Sequence, residues 1–160
     1  MRGGEGDTAK LIAETEEFVR KEIAACDASH DWGHVDRVRR GALKIAALER
    51  LADAGGDVLV VELAALMHDV RDYKYSGSDV AGVDAARAFL AERGVPDATV
   101  AAVCHVIEHV GFQKEKKECG GAFPAGEAPL GPPTELACVQ DADRLDAIGA
   151  VGIARPVPFH

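Results

Sequence analysis

Along most of the chain apolar residues recur at steps of three, four and seven, the spacing that lays one face of a helix against a core. From Thr8 to Cys26 this pattern is carried by Leu11, Ile12, Phe18, Val19 and Ile23, with Asp7 or Thr8 available as N-cap. A second helix is predicted from about His34 to Leu51, with Val35, Val38, Ala42, Ile45 and Leu48 on one side and Gly55-Gly56 marking its end. The third, VLVVELAALMHDV behind a capping Asp57, is apolar nearly all round, which predicts the central helix of a bundle. A fourth runs from about Ser78 to Arg93, a fifth from Asp97 to Val110 and a sixth from Thr134 to about Ala150, with Gly94-Val95-Pro96 between the fourth and fifth. Only VLVV is rich in β-branched residues, and a single strand has no partner to pair with. The expected fold class is all-α, a helical bundle of about six helices.

Polar residues break this pattern at specific places. His68 and Asp69 stand side by side at the end of the apolar third helix, His34 continues the stripe of Val38, Ala42 and Ile45, and Asp143 falls in the stripe Leu136, Val139, Ala147, Ala150. Each has an ordinary explanation alone. A core histidine can bond a backbone carbonyl, Asp69 can end a helix, and Asp143 can pair with Arg144 or Arg37. Jointly they place two imidazoles and two carboxylates inside a core without enough Arg or Lys to neutralise them, and an uncompensated buried carboxylate is costly. A divalent cation resolves this. Two nitrogen and two oxygen donors suit Mn²⁺, Mg²⁺, Fe²⁺, Co²⁺ or Ni²⁺ with positions left for water, and zinc is also admitted.

Composition narrows the partner. The 160 residues, 48% of them hydrophobic, are enough for one domain with a sizeable core. The net charge of −9, from 27 acidic against 18 basic residues, argues against a nucleic-acid polymer, whose binding rests on neutralising phosphates. A small phosphorylated ligand remains compatible where positive charge is local. The N-terminus MRGGEGDTAK has no apolar run before a cleavage site, and no stretch has the eighteen or so apolar residues of a membrane span, so a cytoplasmic, soluble protein without a membrane partner is expected. Cys26, Cys104, Cys119 and Cys138 form no CxxC pair and are expected to be reduced. Residues 1–7 are expected to be flexible, and GFQKEKKECGGAFPAGEAPLGPP, 111–133, reads as a mobile loop or lid within a single domain over 1–160.

His34 in HVDRV, the doublet His68-Asp69 in ALMHDV and Asp143 in DADRLDAIG resemble the H…HD…D signature of the HD superfamily of metal-dependent phosphohydrolases. The segments HDWGHVDRV, LMHDVRDYKY and QDADRLDAIGAVGIAR are similar to the small HD proteins, some of which hydrolyse nucleoside triphosphates to monophosphate and pyrophosphate. The resemblance implies one metal, Mn²⁺ before the others, held by His34, His68, Asp69 and Asp143, a nucleotide substrate, and compatibility with a homodimer. Asp72 resembles the acidic residue that in some of these proteins orients the attacking water, beside Asp69, with a solvated loop acid as its alternative role; Lys74 and Arg37, with Arg71 less directly involved, are positive charges near the motifs able to hold phosphates or to stay solvated, and His109 is expected to face substrate, with a core position as the alternative. His105 shares a face with His109, His30 lies one turn before His34, and Lys114, Lys116 and Lys117 offer a basic lid. Similar proteins continue for several tens of residues past GIAR, whereas here RPVPFH follows, so the ending resembles a truncated or alternatively spliced product that binds metal and turns over poorly. Two further readings stand beside the hydrolase: a nucleotide-binding or scaffold protein, and a di-iron oxygenase drawing on His105, His109 and Asp72.

Overall fold

The computed structural model describes residues 4–24, 32–70, 81–111 and 134–148. Among the described residues there are six helices and no strand: α1 Glu5–Glu22, α2 Trp32–Leu48, α3 Val58–Met67, α4 Ala81–Glu92, α5 Asp97–His109 and α6 Glu135–Asp146. The all-α reading therefore holds, with element ends displaced by local chemistry. Two caps fall where side chains offered them. Asp57 Oδ1 accepts from the Leu59 amide at 2.9 Å, and Thr134 Oγ1 accepts from the Ala137 amide at 3.1 Å. The first helix instead starts ahead of the expected Asp7 or Thr8, because the extended Gly4 lends its carbonyl to the Asp7 amide at 2.8 Å without any side-chain cap.

The core stripe of α2 is Val35, Val38, Ala42 and Ala46, all buried. Leu48, expected on it, is 71% exposed. At 3.6 residues per turn it lies about 120° round from Ala42. Leu51 takes the buried place instead: Arg50, at φ 54°, turns the chain after the helix, and the Gly56 amide closes back on the Leu51 carbonyl at 3.0 Å. The near-complete apolarity of α3 has the expected consequence. It packs on α1, α2, α5 and α6, with seven residues from Val60 to Met67 buried. Its polar member Glu62 is met by Arg39 of α2, whose Nε donates at 2.9 Å while Nη1 reaches Glu16 of α1 at 2.6 Å.

The face of α6 is rotated from the expected one. Cys138, Val139 and Ala142 are buried and Ala147 is exposed, so the stripe runs through Asp146, whose side chain is 7% exposed, and Asp143 stands at its edge, 37% exposed. Close approach of α6 to α2 is permitted by Gly41, where an added Cβ would meet Ala142 Cβ at 3.3 Å. Cys104 and Cys138 are free buried thiols, and burial raises the pKa of both. Cys26 and Cys119 lie outside the described residues, as do the 112–133 part of the expected lid and the RPVPFH ending.

Candidate metal centre

The chain ends α3 where its apolar run stops, and His68 follows at the C-cap. The last carbonyls of a helix lack intrahelical partners. One of them, Ala65 O, accepts from His68 Nδ1 at 2.8 Å. A carbonyl oxygen can only accept, so the neutral ring carries its proton on Nδ1 and presents the Nε2 lone pair. His34, on the buried stripe near the start of α2, is fixed in the same sense. Its Nδ1 donates to Asp146 Oδ2 at 2.8 Å, and a carboxylate likewise only accepts. The two Nε2 atoms lie 3.2 Å apart.

Two carboxylates join them. Asp69 Oδ2 is 3.2 Å from His34 Nε2 and 3.4 Å from His68 Nε2, while Asp143 Oδ1 is 3.4 Å and 3.9 Å from the same nitrogens. Four electron-pair donors thus face one small volume, an arrangement that repels itself unless positive charge lies between them. Donors about 2.1 Å from a shared ion stand roughly 3.0 to 3.5 Å apart at octahedral or tetrahedral angles, so the spacing of His34, His68 and Asp69 suits a divalent cation, with Asp143 further out at 3.9 Å from His68. His34, His68 and Asp69, with ligand atoms within 4.8 Å of one another, form a possible metal site. Both α3 and α6 direct their C-terminal ends toward it, and the negative end of each helix dipole favours a cation.

Behind His34 lies a residue that the sequence reading did not single out. Asp146 accepts from His34 and also from Arg37, at 2.6 Å from Nε to Oδ1 and 3.1 Å from Nη2 to Oδ2. Burial would raise the Asp146 carboxyl, but the hydrogen bonds from Arg37 and His34 and the charge of Arg37 outweigh it and hold the pKa at about 2. The signal was present in DADRLD, where Asp146 follows Asp143 by one turn, but a second carboxylate so close to the helix end reads as solvated. Arg37, expected on substrate or on Asp143, has its fork on Asp146 instead. Arg144 pairs with Asp141 at 3.9 Å, so neither arginine accounts for Asp143.

His109, expected to face substrate, is half-buried in the last turn of α5, and its Nδ1 donates to His105 O at 2.8 Å. The rings of His105 and His109 lie 4.3 Å apart, a pair separate from the metal-capable group. Asp72, Lys74, Arg71 and His30 lie outside the described residues.

An all-helical bundle in which three helices bring His, His-Asp and Asp to one point defines a class. The chain belongs to the HD domain family, which it matches over residues 31–148, a span containing all four side chains. It is 38% identical over 132 residues to YpgQ of Bacillus subtilis (strain 168), an alignment covering 82% of this chain and 58% of YpgQ. The crystal structure of YpgQ in complex with ADP is similar at TM-score 0.62 and 30% identity, over 90% of this chain and 64% of that one. A Lactobacillus plantarum protein is similar at TM-score 0.68 and 28% identity, over 91% and 60%. A predicted HD superfamily hydrolase from an uncultured Thermotogales bacterium is similar at TM-score 0.64 and 29% identity, over 89% and 72%. This chain therefore spans about three fifths of the length of YpgQ and of the Lactobacillus protein. Among the described residues no helix is long and apolar enough to cross a membrane.

Proposed function

We propose that the chain is a metal-dependent phosphohydrolase that cleaves a nucleoside triphosphate to monophosphate and pyrophosphate, with the cation held by His34, His68, Asp69 and Asp143. The observation that carries this is the facing set of four donors in which both imidazole protons are committed to Nδ1. A divalent cation held there, Mn²⁺ before Mg²⁺, Co²⁺, Ni²⁺, Fe²⁺ or Zn²⁺, would supply an acidified water and neutralise charge on a phosphoryl oxygen. The protein supplies the rest. His34 and His68, each 2% exposed, form the dry floor, and the 37% exposed Asp143 marks the side from which a phosphate chain approaches. Arg37, 35% exposed at the same rim, adds positive charge there while held by Asp146. Lys74 and His109 are assigned to further substrate contacts, and Asp72 to orienting the attacking water.

The nucleotide part of the reading is supported by the ADP complex of the relative YpgQ. It is tested by following orthophosphate and pyrophosphate release from a panel of nucleotides, with Mn²⁺, Mg²⁺, Co²⁺ and Ni²⁺ each supplied separately. Pyrophosphate release that chelation and His68→Ala both abolish is the expected result. Orthophosphate alone would make the protein a phosphatase. Metal and nucleotide binding without release of either would leave the scaffold reading in possession. Asp72→Asn should keep metal and substrate affinity while lowering turnover roughly a hundredfold, the usual contribution of a positioned acid or base.

A further inference from the structure

His34 and Arg37 are one turn apart on α2, and Asp143 and Asp146 are one turn apart on α6. The helices meet so that these two pairs interlock. Asp143 faces His34 Nε2, while Asp146 takes the Nδ1 proton at 2.8 Å and is itself gripped by Arg37 at 2.6 and 3.1 Å. We infer that Asp146, clamped by Arg37, is a positioning residue that fixes the ring plane and tautomer of His34, so that the affinity of the site for a divalent cation depends on two side chains that do not touch the ion. This rests on the proposed metal site.

The physical case starts from the imidazole. A neutral ring has two tautomers, and only the one with hydrogen on Nδ1 leaves Nε2 able to coordinate. With the other tautomer an N–H would point at His68 Nε2 and Asp69 Oδ2, the atoms 3.2 Å away, and occupy the place of the cation. A carboxylate on Nδ1 selects the coordinating form and makes Nε2 a better donor. A lone carboxylate on a helix end could swing off. Arg37 prevents this because its planar fork holds both oxygens of Asp146 in one orientation, with the charge and geometry that a bidentate guanidinium supplies. Asp146 is nearly buried between the two helices, so water is poorly placed to replace either partner.

The test measures Mn²⁺ dissociation constants by calorimetry and the visible absorption of the Co²⁺ protein, with the thermal midpoint of the metal-free protein as a control for folding. Parent, Asp146→Ala, Asp146→Asn and Arg37→Gln are compared. Asp146→Ala is expected to weaken Mn²⁺ binding roughly 10- to 100-fold, the usual cost of removing a partner of a metal-bound histidine, and to alter the Co²⁺ band. Asp146→Asn, whose amide oxygen still accepts the His34 proton, should recover part of that loss. If Asp146→Ala does not fold, Arg37→Gln decides. It alters a partly exposed side chain and should still weaken binding several-fold. Binding within twofold of the parent with an unchanged Co²⁺ band, in Asp146→Ala or, where that fails to fold, in Arg37→Gln, overturns the inference and leaves the metal site standing. A parent protein that binds no divalent cation overturns both.

Discussion

Asp141, Asp143 and Asp146 sit within two turns of one helix, and the helical rotation gives each a different environment. Asp143 Oδ1 lies 3.4 Å from His34 Nε2, Asp146 Oδ2 lies 2.8 Å from His34 Nδ1, and Asp141 points away, 60% exposed, with Arg144 as its partner. Exposed ion pairs contribute little. Asp141→Ala should therefore leave the Mn²⁺ dissociation constant within about twofold of the parent, while Asp143→Ala, which removes a proposed ligand, should weaken it far more, both read by titration calorimetry. Equal effects of the two substitutions would show that Asp143 is not a ligand. Asp146 also carries a pH signature. Burial opposes its ionisation, but Arg37 and His34 prevail and its pKa in the folded protein is about 2, below the ordinary 3.8. A carboxyl with a depressed folded pKa stabilises the fold above its unfolded value and loses that contribution as pH falls through the folded one. The metal-free protein should accordingly melt above Asp146→Asn at pH 6, with the gap closing between about pH 4 and pH 2. A gap independent of pH over that range would remove the ionised carboxylate from the account.

The same carboxylates reach His34 only because α6 lies close on α2, and Gly41 sets that closeness. A Cβ there would stand 3.3 Å from Ala142 Cβ and 3.8 Å from its Cα, so a larger side chain must push the helices apart. Gly41→Leu is expected to cost about 1 to 3 kcal/mol in urea unfolding, as overpacking usually does. It should also weaken Mn²⁺ binding, since Asp143 moves with α6 while His68 and Asp69 stay with α3. Unchanged metal affinity in a folded Gly41→Leu protein would mean that helix spacing does not control the site. This dependence explains what could be read from the chain. His34, His68 and Asp69 were legible because they interrupt apolar stripes on α2 and α3 that are dense enough to fix a face. The face of α6 was less so. Its last turn is mostly polar, DRLD, and a rotation of the stripe by less than a quarter turn moves Asp146 inward and Asp143 to the rim. The partner of Arg37 had no local signal, because it depends on the packing of two helices more than a hundred residues apart. The start of α1 was missed for a simpler reason: Gly4 caps it with backbone alone.

For the molecule as a whole, the proposed site would act as a cross-link between helices once a cation is bound. Its donors come from α2, α3 and α6, and α3 is also the helix against which α1 and α5 pack. On the far side of α2 and α3 the Arg39–Glu62–Glu16 network supplies its own positive charge. At the metal end two carboxylates and two imidazole nitrogens face one another, a grouping that a bound cation would hold together. A cation that binds only the folded state stabilises it by RT ln(1 + [L]/Kd), about 2.7 kcal/mol at a hundred times Kd. For a chain of this length that amounts to a rise of roughly 5 to 11 °C in the thermal midpoint. Mn²⁺ should produce this rise, EDTA should reverse it, and His34→Ala should abolish it. Hydrogen exchange locates the effect: protection gained on Mn²⁺ binding should concentrate in the first turn of α2, the last turn of α3 and the last turn of α6, with α4 little changed. α4 provides no donor to the site, so a cation acting through general surface charge would protect it as much as the others. A midpoint shift that persists in His34→Ala, with protection spread evenly over the helices, would place the cation elsewhere on this acidic surface and separate metal binding from the His-Asp cluster.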